Sequence, residues 1–176
     1  MLPTPLREHA DPDLTGKGVT IAFLDTGFSS HPDLTRARNR ILSYVDVTGE
    51  DATLDTRESY QWHGTMTTVV AAGNGYLSGG IYRSIAPEAD LVLVKVLKQG
   101  DVVEDDILRG LEWVLANRER YNIKVLNISV GDGDDNPYEH DRVDLAAEEC
   151  FREGIAVVAA AGNAFDPDSH SNVPPS

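Results

Sequence analysis

Several features that define whole classes of protein are scarce or missing in this sequence. The chain of 176 residues has a single cysteine, Cys150, so an internal disulfide and a disulfide-stabilised scaffold are excluded. No stretch approaches the roughly 20 consecutive apolar residues that a membrane helix needs, and the N-terminal residues lack the apolar core of a signal peptide, which favours a cytoplasmic location. The sequence also lacks a Gly-x-Gly-x-x-Gly motif, a P-loop and a Cys/His metal cluster. We therefore expect no cofactor and no metal site.

Basic residues are few, with 15 Lys and Arg against 29 Asp and Glu, and the formal net charge is -14 at pH 7. Nucleic acids and anionic membranes repel such a chain, so neither is expected as a partner. Apolar residues make up 41% of the sequence, which is enough for a hydrophobic core, and the length suits one domain. The composition therefore favours a soluble globular protein.

Short apolar runs alternate with helical patterns along the chain. Strands are predicted at 19–25, 41–47, 91–97, 123–130 and 155–161. Helices are predicted at 65–72, 103–121 and 141–153. This alternation predicts an α/β fold in which helices cover both faces of a mostly parallel sheet. The Pro-rich segment 1–17 is interpreted as an N-terminal arm, and residues 18–176 as the domain.

Polar side chains lie at or after the ends of three predicted strands. Asp25 ends the first strand, Ser129 lies near the end of a middle one, and Asn163 follows the last. Because parallel strands end at one edge of a sheet, these residues are predicted to share that edge, and His63 at a helix start can face it. A carboxylate, an imidazole and an amide are groups that assist acyl transfer to and from a serine hydroxyl.

The motifs around these residues resemble those of the subtilisin-like serine proteases. The matching segments are Val19-Thr-Ile-Ala-Phe-Leu-Asp-Thr-Gly27 for the Asp motif, His63-Gly-Thr65 for the His motif and Ala159-Ala-Ala-Gly-Asn163 for the oxyanion-hole motif. The resemblance implies a three-layer α/β/α fold and serine endopeptidase activity on polypeptide substrates. It also implies that His63 is the general base, that Asp25 orients it and that Asn163 is an oxyanion donor.

The same resemblance implies a substrate-binding surface. Asn127-Ile-Ser-Val-Gly131 is similar to the family strand that pairs with the substrate main chain. The residues implied to contact substrate are Gly100, Ser129, Val130, Gly131, Ala160 and Gly162. The stretch 72–80 resembles the intracellular branch of the family in Gram-positive bacteria, and it differs from the calcium-binding loop of secreted relatives. No calcium site is therefore expected.

No segment resembles the family's Gly-Thr-Ser-Met-Ala nucleophile motif. We therefore expect the fold to be truncated before the nucleophile helix, and the chain to need a missing C-terminal half for activity. The alternative is an inactive product of a truncated or split gene, which acts at most as a peptide-binding remnant. Ser129 is not a candidate nucleophile, because it lacks the Gly-x-Ser-x-Gly elbow.

Three weaker patterns favour simpler interpretations. Asp-Thr-Gly at 25–27 also occurs in aspartic proteases, but those proteins are rich in β structure, whereas this chain has an α/β pattern. His-Pro-Asp at 31–33 matches the chaperone J-domain tripeptide, but it follows a predicted strand and is interpreted as a turn. Cys150 follows two glutamates on a predicted helix, and it is expected to be a buried structural residue whose acidic neighbours raise the pKa of the thiol.

Overall fold

A computed structural model describes residues 4, 13–56, 60–131 and 141–161. The strands are β1 (Thr20–Asp25), β2 (Ile41–Asp46), β3 (Asp90–Lys95), β4 (Leu97–Lys98), β5 (Asp101–Val102), β6 (Ile123–Ile128) and β7 (Ala156–Ala159). The α-helices are α1 (Pro32–Thr35), α2 (Gln61–Ala72), α3 (Glu104–Tyr121) and α4 (Arg142–Arg152). Most of the predicted N-terminal arm, and the predicted site residues Gly162 and Asn163, lie outside the described residues.

The described strands form a five-stranded sheet in the order β2-β3-β1-β6-β7, and all neighbouring pairs in it are parallel. β1 lies at the centre, where Leu24 is in register with Val94 of β3 and with Ile128 of β6. The carboxyl ends of the strands therefore lie along one edge, which includes Asp25 and the residues that follow Ile128. A separate antiparallel pair, β4 and β5, follows β3.

Helices pack on both faces of the sheet, because successive apolar side chains of β1 point to opposite faces and each face must be covered. Ile21 and Phe23 point to the face that packs with Ala72 of α2, whereas Ala22 and Leu24 point to the face that packs with α3 and α4. All six residues of β1 are buried, and the four between Thr20 and Asp25 are apolar rather than alternating with polar residues. The sequence-based prediction of an α/β fold with a mostly parallel sheet and helices on both faces is confirmed.

α3 illustrates how the sequence determines the bounds of a helix. Glu104, Asp105 and Asp106 lie in its first turn, and Arg118 and Arg120 lie in its last turn. Acidic groups near the N-terminus and basic groups near the C-terminus stabilise the helix through its dipole. The helix ends at Tyr121, and the residue that follows, Asn122, has the left-handed conformation that asparagine tolerates better than most residues.

The structure differs from the prediction at the start of α2. The helix begins at Gln61 rather than at 65, about one turn earlier. Tyr60 precedes it without a side-chain capping bond, so the sequence carries no capping signal there. As a consequence, His63 lies inside the first turn of α2.

Two short elements were not predicted as such. α1 begins after His31, whose Nδ1 accepts a hydrogen bond from the backbone N–H of Asp33, and Pro32 occupies its first turn. The predicted strand at 91–97 is divided, because β3 ends at Lys95 and Leu97 pairs instead with Val102 in the β4–β5 hairpin.

Candidate active site

A hydrogen bond joins Asp25, at the end of β1, to His63, in the first turn of α2. The distance from His63 Nδ1 to Asp25 Oδ1 is 2.6 Å. The Asp25 side chain is completely buried, whereas 32% of the His63 side chain is exposed. A carboxylate bound at Nδ1 holds the imidazole in the tautomer whose Nε2 can accept a proton. The structure therefore brings together the predicted acid and base in the arrangement that general-base chemistry needs.

The Asp25 carboxylate accepts further hydrogen bonds from two threonines. The backbone N–H of Thr26 donates to Oδ1 at 2.7 Å, and the hydroxyl of Thr67 donates to Oδ2 at 2.9 Å. The Thr26 hydroxyl lies 2.9 Å from the carbonyl of Tyr60, which links the turn after β1 to the start of α2. Because an isolated carboxylate is costly to bury, these donors are what make a fully enclosed Asp25 tolerable.

Gly64 allows α2 to approach the turn after β1 closely enough for this pairing. A Cβ atom at this position would lie 2.2 Å from the carbonyl oxygen of Gly27 and 3.0 Å from Cβ of Asp25. Real Cβ atoms do not approach other atoms so closely. The glycine of the His-Gly-Thr motif is therefore required by the contact between the helix and the strand end.

The strand implied to bind substrate ends at the same sheet edge as Asp25. The backbone N–H of Ser129 donates to the carbonyl of Leu24 at 3.3 Å, and that of Ala160 donates to the carbonyl of Ile128 at 2.9 Å. Ser129 and Val130 are half-buried, and Gly131 and Ala160 are exposed. The side-chain amide of Asn127 donates to the Ser129 hydroxyl at 2.7 Å. The hydrogen bonds described for Ser129 are thus with residues of β1 and β6, and not with Asp25 or His63.

Gly100 is not part of the strand ends described above. It lies in the turn that joins β4 to β5. Both turn residues have positive φ, 50° at Gln99 and 95° at Gly100, and both are exposed. Two consecutive left-handed residues form the type of tight turn that suits a hairpin, and glycine adopts this conformation easily. The predicted oxyanion donor Asn163 and the predicted substrate contact Gly162 fall outside the described residues.

Lys95 is a buried charge that the sequence analysis did not single out. It ends β3, in register with Asp25, and its side chain is completely buried. Its ammonium group donates to Glu50 Oε2 and to the carbonyl of Leu97, each at 2.6 Å, and lies 3.9 Å from Asp46 Oδ2. The sequence places the two carboxylates at the end of β2 and in the loop after it, so only the register of β2 with β3 shows that they meet the lysine.

The pKa of Asp46 reflects two opposing effects. Burial raises the pKa. Hydrogen bonds from Thr48 and from the backbone N–H of Ala52, together with the charge of Lys95, lower the pKa by more than burial raises it, so the net pKa lies below its ordinary value. Cys150 is fully buried in the core, as predicted. Burial is the main reason that its thiol pKa is raised, and the charge of Glu149 adds to the effect.

Two further observations concern only the described part of the chain. No group of three or more His, Cys, Asp or Glu side chains in these ranges has an arrangement that could hold a metal ion. Within the same ranges, none of the helices has the length and apolar character that spanning a bilayer requires.

Comparison with known proteins places these features in a family. Residues 16–174 match the Subtilase family. The chain is 40% identical to Serine protease AprX of Bacillus subtilis (strain 168), over 92% of this chain and 36% of AprX. It is 32% identical to the Major intracellular serine protease of the same organism, over 89% of this chain and 46% of that protein. The chain thus spans less than half the length of these relatives.

A solved structure supports the same assignment. The S41 psychrophilic protease superposes with a TM-score of 0.66 and 31% identity, over 86% of this chain and 48% of that chain. From the family match, the identity to subtilases and the shared fold, we conclude that this chain belongs to the subtilase family.

Proposed function

We propose that this chain carries the acid and the base of a subtilisin-like serine endopeptidase. The observation that carries the proposal is the 2.6 Å hydrogen bond between His63 Nδ1 and a completely buried Asp25 carboxylate. This geometry leaves Nε2 of His63 to take the proton of a serine hydroxyl as it attacks a peptide carbonyl. Asp25 then stabilises the imidazolium, which returns the proton to the leaving amine.

We assign the remaining roles of the site by position and by family resemblance. Asn163 supplies a side-chain N–H to the oxyanion that forms on the substrate carbonyl. The segment Ser129–Gly131 pairs with the substrate main chain, together with Ala160 and Gly162, and Gly100 lies on the opposite wall of the cleft. The exposure of Gly131, Ala160 and Gly100 is compatible with access by a polypeptide substrate.

The nucleophile, in this proposal, comes from polypeptide outside these 176 residues. The sequence contains no Gly-Thr-Ser-Met-Ala segment, and the relatives are more than twice as long as the part they share with this chain. One side of α2 also carries an exposed apolar stripe, with Trp62 63% exposed, Met66 45% and Val70 53%. Apolar side chains at this spacing lie on one helix face, and a contiguous apolar face suits contact with further polypeptide.

Complementation tests this proposal. The purified chain is mixed with, or co-expressed with, the C-terminal half of AprX, and hydrolysis of casein is measured for each polypeptide alone and for the mixture. We expect hydrolysis only in the mixture and not with either polypeptide by itself, and we expect His63→Ala to abolish it. If the two polypeptides associate and the mixture is inactive, the alternative of an inactive, peptide-binding remnant is supported instead.

A cytoplasmic location is part of the same proposal, and its support is the similarity to a relative named as an intracellular protease. Fractionation of the source cells with an antibody to the chain tests it directly. Recovery of the chain in the cytoplasmic fraction is expected, and recovery from the culture medium would contradict it.

A further inference from the structure

The second oxygen of the Asp25 carboxylate is bound by a residue that neither the motifs nor the general-base scheme assigns. Thr67 lies one turn after His63 on α2, and its hydroxyl oxygen is 2.9 Å from Asp25 Oδ2. His63 binds the other oxygen, Oδ1, at 2.6 Å. Among the described residues, Thr67 is the one hydrogen-bond donor to Oδ2.

The hydroxyl of Thr67 has two acceptors within reach, and it has one proton. The carbonyl oxygen of Gly64 lies 3.0 Å away, slightly farther than Asp25 Oδ2. A carboxylate is the stronger acceptor, because hydrogen bonds to ionised groups are shorter and roughly twice as strong as those between neutral groups. The hydroxyl of Thr67 therefore donates to Asp25 Oδ2, and the carbonyl oxygen of Gly64 is the weaker of the two acceptors.

The spacing on the helix explains how one element holds both oxygens. Residues four apart lie on the same helix face, so α2 presents the imidazole of His63 and the hydroxyl of Thr67 to the same carboxylate. Two donors from one rigid helix, at opposite oxygens, oppose rotation of the carboxylate about its Cβ–Cγ bond. The Asp25 side chain is completely buried, so water has little access to Oδ2 and the hydrogen bond from Thr67 lies in a poorly solvated environment.

We propose that Thr67 is a positioning residue for the catalytic pair, which holds the Asp25 carboxylate in the orientation that binds His63 Nδ1. This inference rests on the proposed function, because a positioning role has meaning only if Asp25 and His63 act together. Thr67 contacts neither substrate nor nucleophile in this scheme; it acts through Asp25.

The neighbouring residue provides a matched control. Thr68 is completely buried, and its hydroxyl donates to the carbonyl of Gly64 at 2.7 Å. Thr68→Val removes a hydroxyl from the same helix turn without touching the carboxylate. Thr67→Val removes the donor to Asp25 at nearly constant volume, and Thr67→Ser restores it.

The experiment measures the His63 Nδ1 proton by NMR on the 15N-labelled 176-residue chain, where a proton shared with a carboxylate resonates far downfield of the backbone amides. Its rate of exchange with water reports how often the Asp25–His63 bond opens. We expect exchange about tenfold faster in Thr67→Val, a factor that corresponds to the lower end of what a hydrogen bond to a charged group contributes. Thr67→Ser and Thr68→Val are expected to match the unaltered chain.

The outcomes separate this inference from the proposed function. If the resonance is present in the unaltered chain and its exchange is the same in Thr67→Val, the positioning role is wrong and the pair stands. Equal acceleration in Thr68→Val would also overturn the role, because it would show a general loosening of the helix. If the unaltered chain shows no such resonance, the pair and the role both fail. Should Thr67→Val not fold, Thr67→Ala provides the same comparison.

Discussion

Single atoms around the Asp25 carboxylate decide whether His63 can act as a base. Asp25→Asn replaces one carboxylate oxygen with an NH₂ group, which donates hydrogen bonds and favours the wrong imidazole tautomer. Hydrolysis by the complemented enzyme is therefore expected to fall roughly 10⁴-fold, as it does for this change in a serine protease triad. The measurement is the rate of casein hydrolysis. Asp105→Asn, at the exposed start of α3, is the matched control.

That result depends on Asp25 having the role assigned to it. If the Asp25→Asn enzyme hydrolyses casein as fast as the Asp105→Asn enzyme, the assignment of Asp25 as the orienting acid is wrong.

Gly64 is the residue at which the smallest change in volume should be felt most. Gly64→Ala forces a methyl group against the carbonyl of Gly27 and against Asp25, so α2 must move away from the strand end. We expect a loss of about 1–3 kcal/mol in the free energy of unfolding, measured by urea denaturation. Gly131→Ala is the control, because a Cβ there meets no atom of the described residues within 4 Å. Equal stability of the two variants would contradict the close contact described here.

Cys150 is expected to be unreactive in the folded chain. Burial raises the pKa of its thiol above the ordinary value of 9.0, so the nucleophilic thiolate is rarer than in an exposed cysteine. At about pH 8.5, a thiol reagent such as Ellman's should react slowly with the native protein and to one equivalent in denaturant, since this is the single cysteine of the chain. Rapid reaction of the native protein would show that the thiol is accessible.

The same pKa shift has a consequence for stability. At low pH the thiol is neutral in both the folded and the unfolded chain. Because the folded thiol has the higher pKa, the thiol of the unfolded chain ionises first as the pH rises. Cys150 should therefore lower stability as the pH rises above about 9. Cys150→Ala removes this part of the alkaline dependence, although it also leaves a small cavity in the core.

At the scale of elements, the Lys95 network ties the ends of β2 and β3 to the loop that follows β2. The pKa of Asp46 in this network is depressed below its ordinary value of 3.8, so folding is favoured by ionisation of Asp46. That contribution is complete above about pH 5 and is lost as the pH falls through the folded pKa. Asp46→Asn should flatten the acid limb of the stability curve, measured by urea unfolding at several pH values.

Asp55→Asn, in the same loop, is the comparison for this acid limb. It changes an exposed carboxylate that has no ion pair in the described part of the chain. If both variants retain the full acid dependence, the network around Lys95 does not supply it.

How well the sequence predicts an element depends on whether its determinants are local. β1 and α3 were predicted closely, because an uninterrupted apolar run and a charged amphipathic pattern carry their own signals. The start of α2 was missed, because Tyr60 makes no capping bond and the helix is fixed instead by Thr26 and the packing of Gly64. Tertiary contact, and not local propensity, sets that boundary.

The candidate site divides in the same way. Asp25 and His63 were predicted as a pair because their motifs are contiguous in sequence, and the structure places their side chains within hydrogen-bonding distance. Thr67 and Lys95 were missed, because a threonine in a small-residue helix and a lysine in an apolar strand have no distinctive local pattern. Their partners lie far away in the chain and become neighbours only through the sheet register and the packing of α2.

At the scale of the whole molecule, this chain provides a sheet edge with a buried acid and a partly exposed base, while it covers 36% of AprX and 46% of the Major intracellular serine protease. The exposed stripe of Trp62, Met66 and Val70 is on the helix that carries His63. Further polypeptide that packs on this helix can therefore bring a nucleophile to the base. In the proposed function, the Asp25–His63 pair activates a serine supplied in this way.

Activation of a serine by Asp25 and His63 can be measured as the rate of fluorophosphonate labelling in the mixture of this chain with the C-terminal half of AprX. We expect the probe to label a serine of the AprX half, neither polypeptide to be labelled alone, and His63→Ala in this chain to abolish the reaction. Labelling of the 176-residue chain by itself, or labelling of the mixture that is unaffected by His63→Ala, would contradict the proposed role of the Asp25–His63 pair.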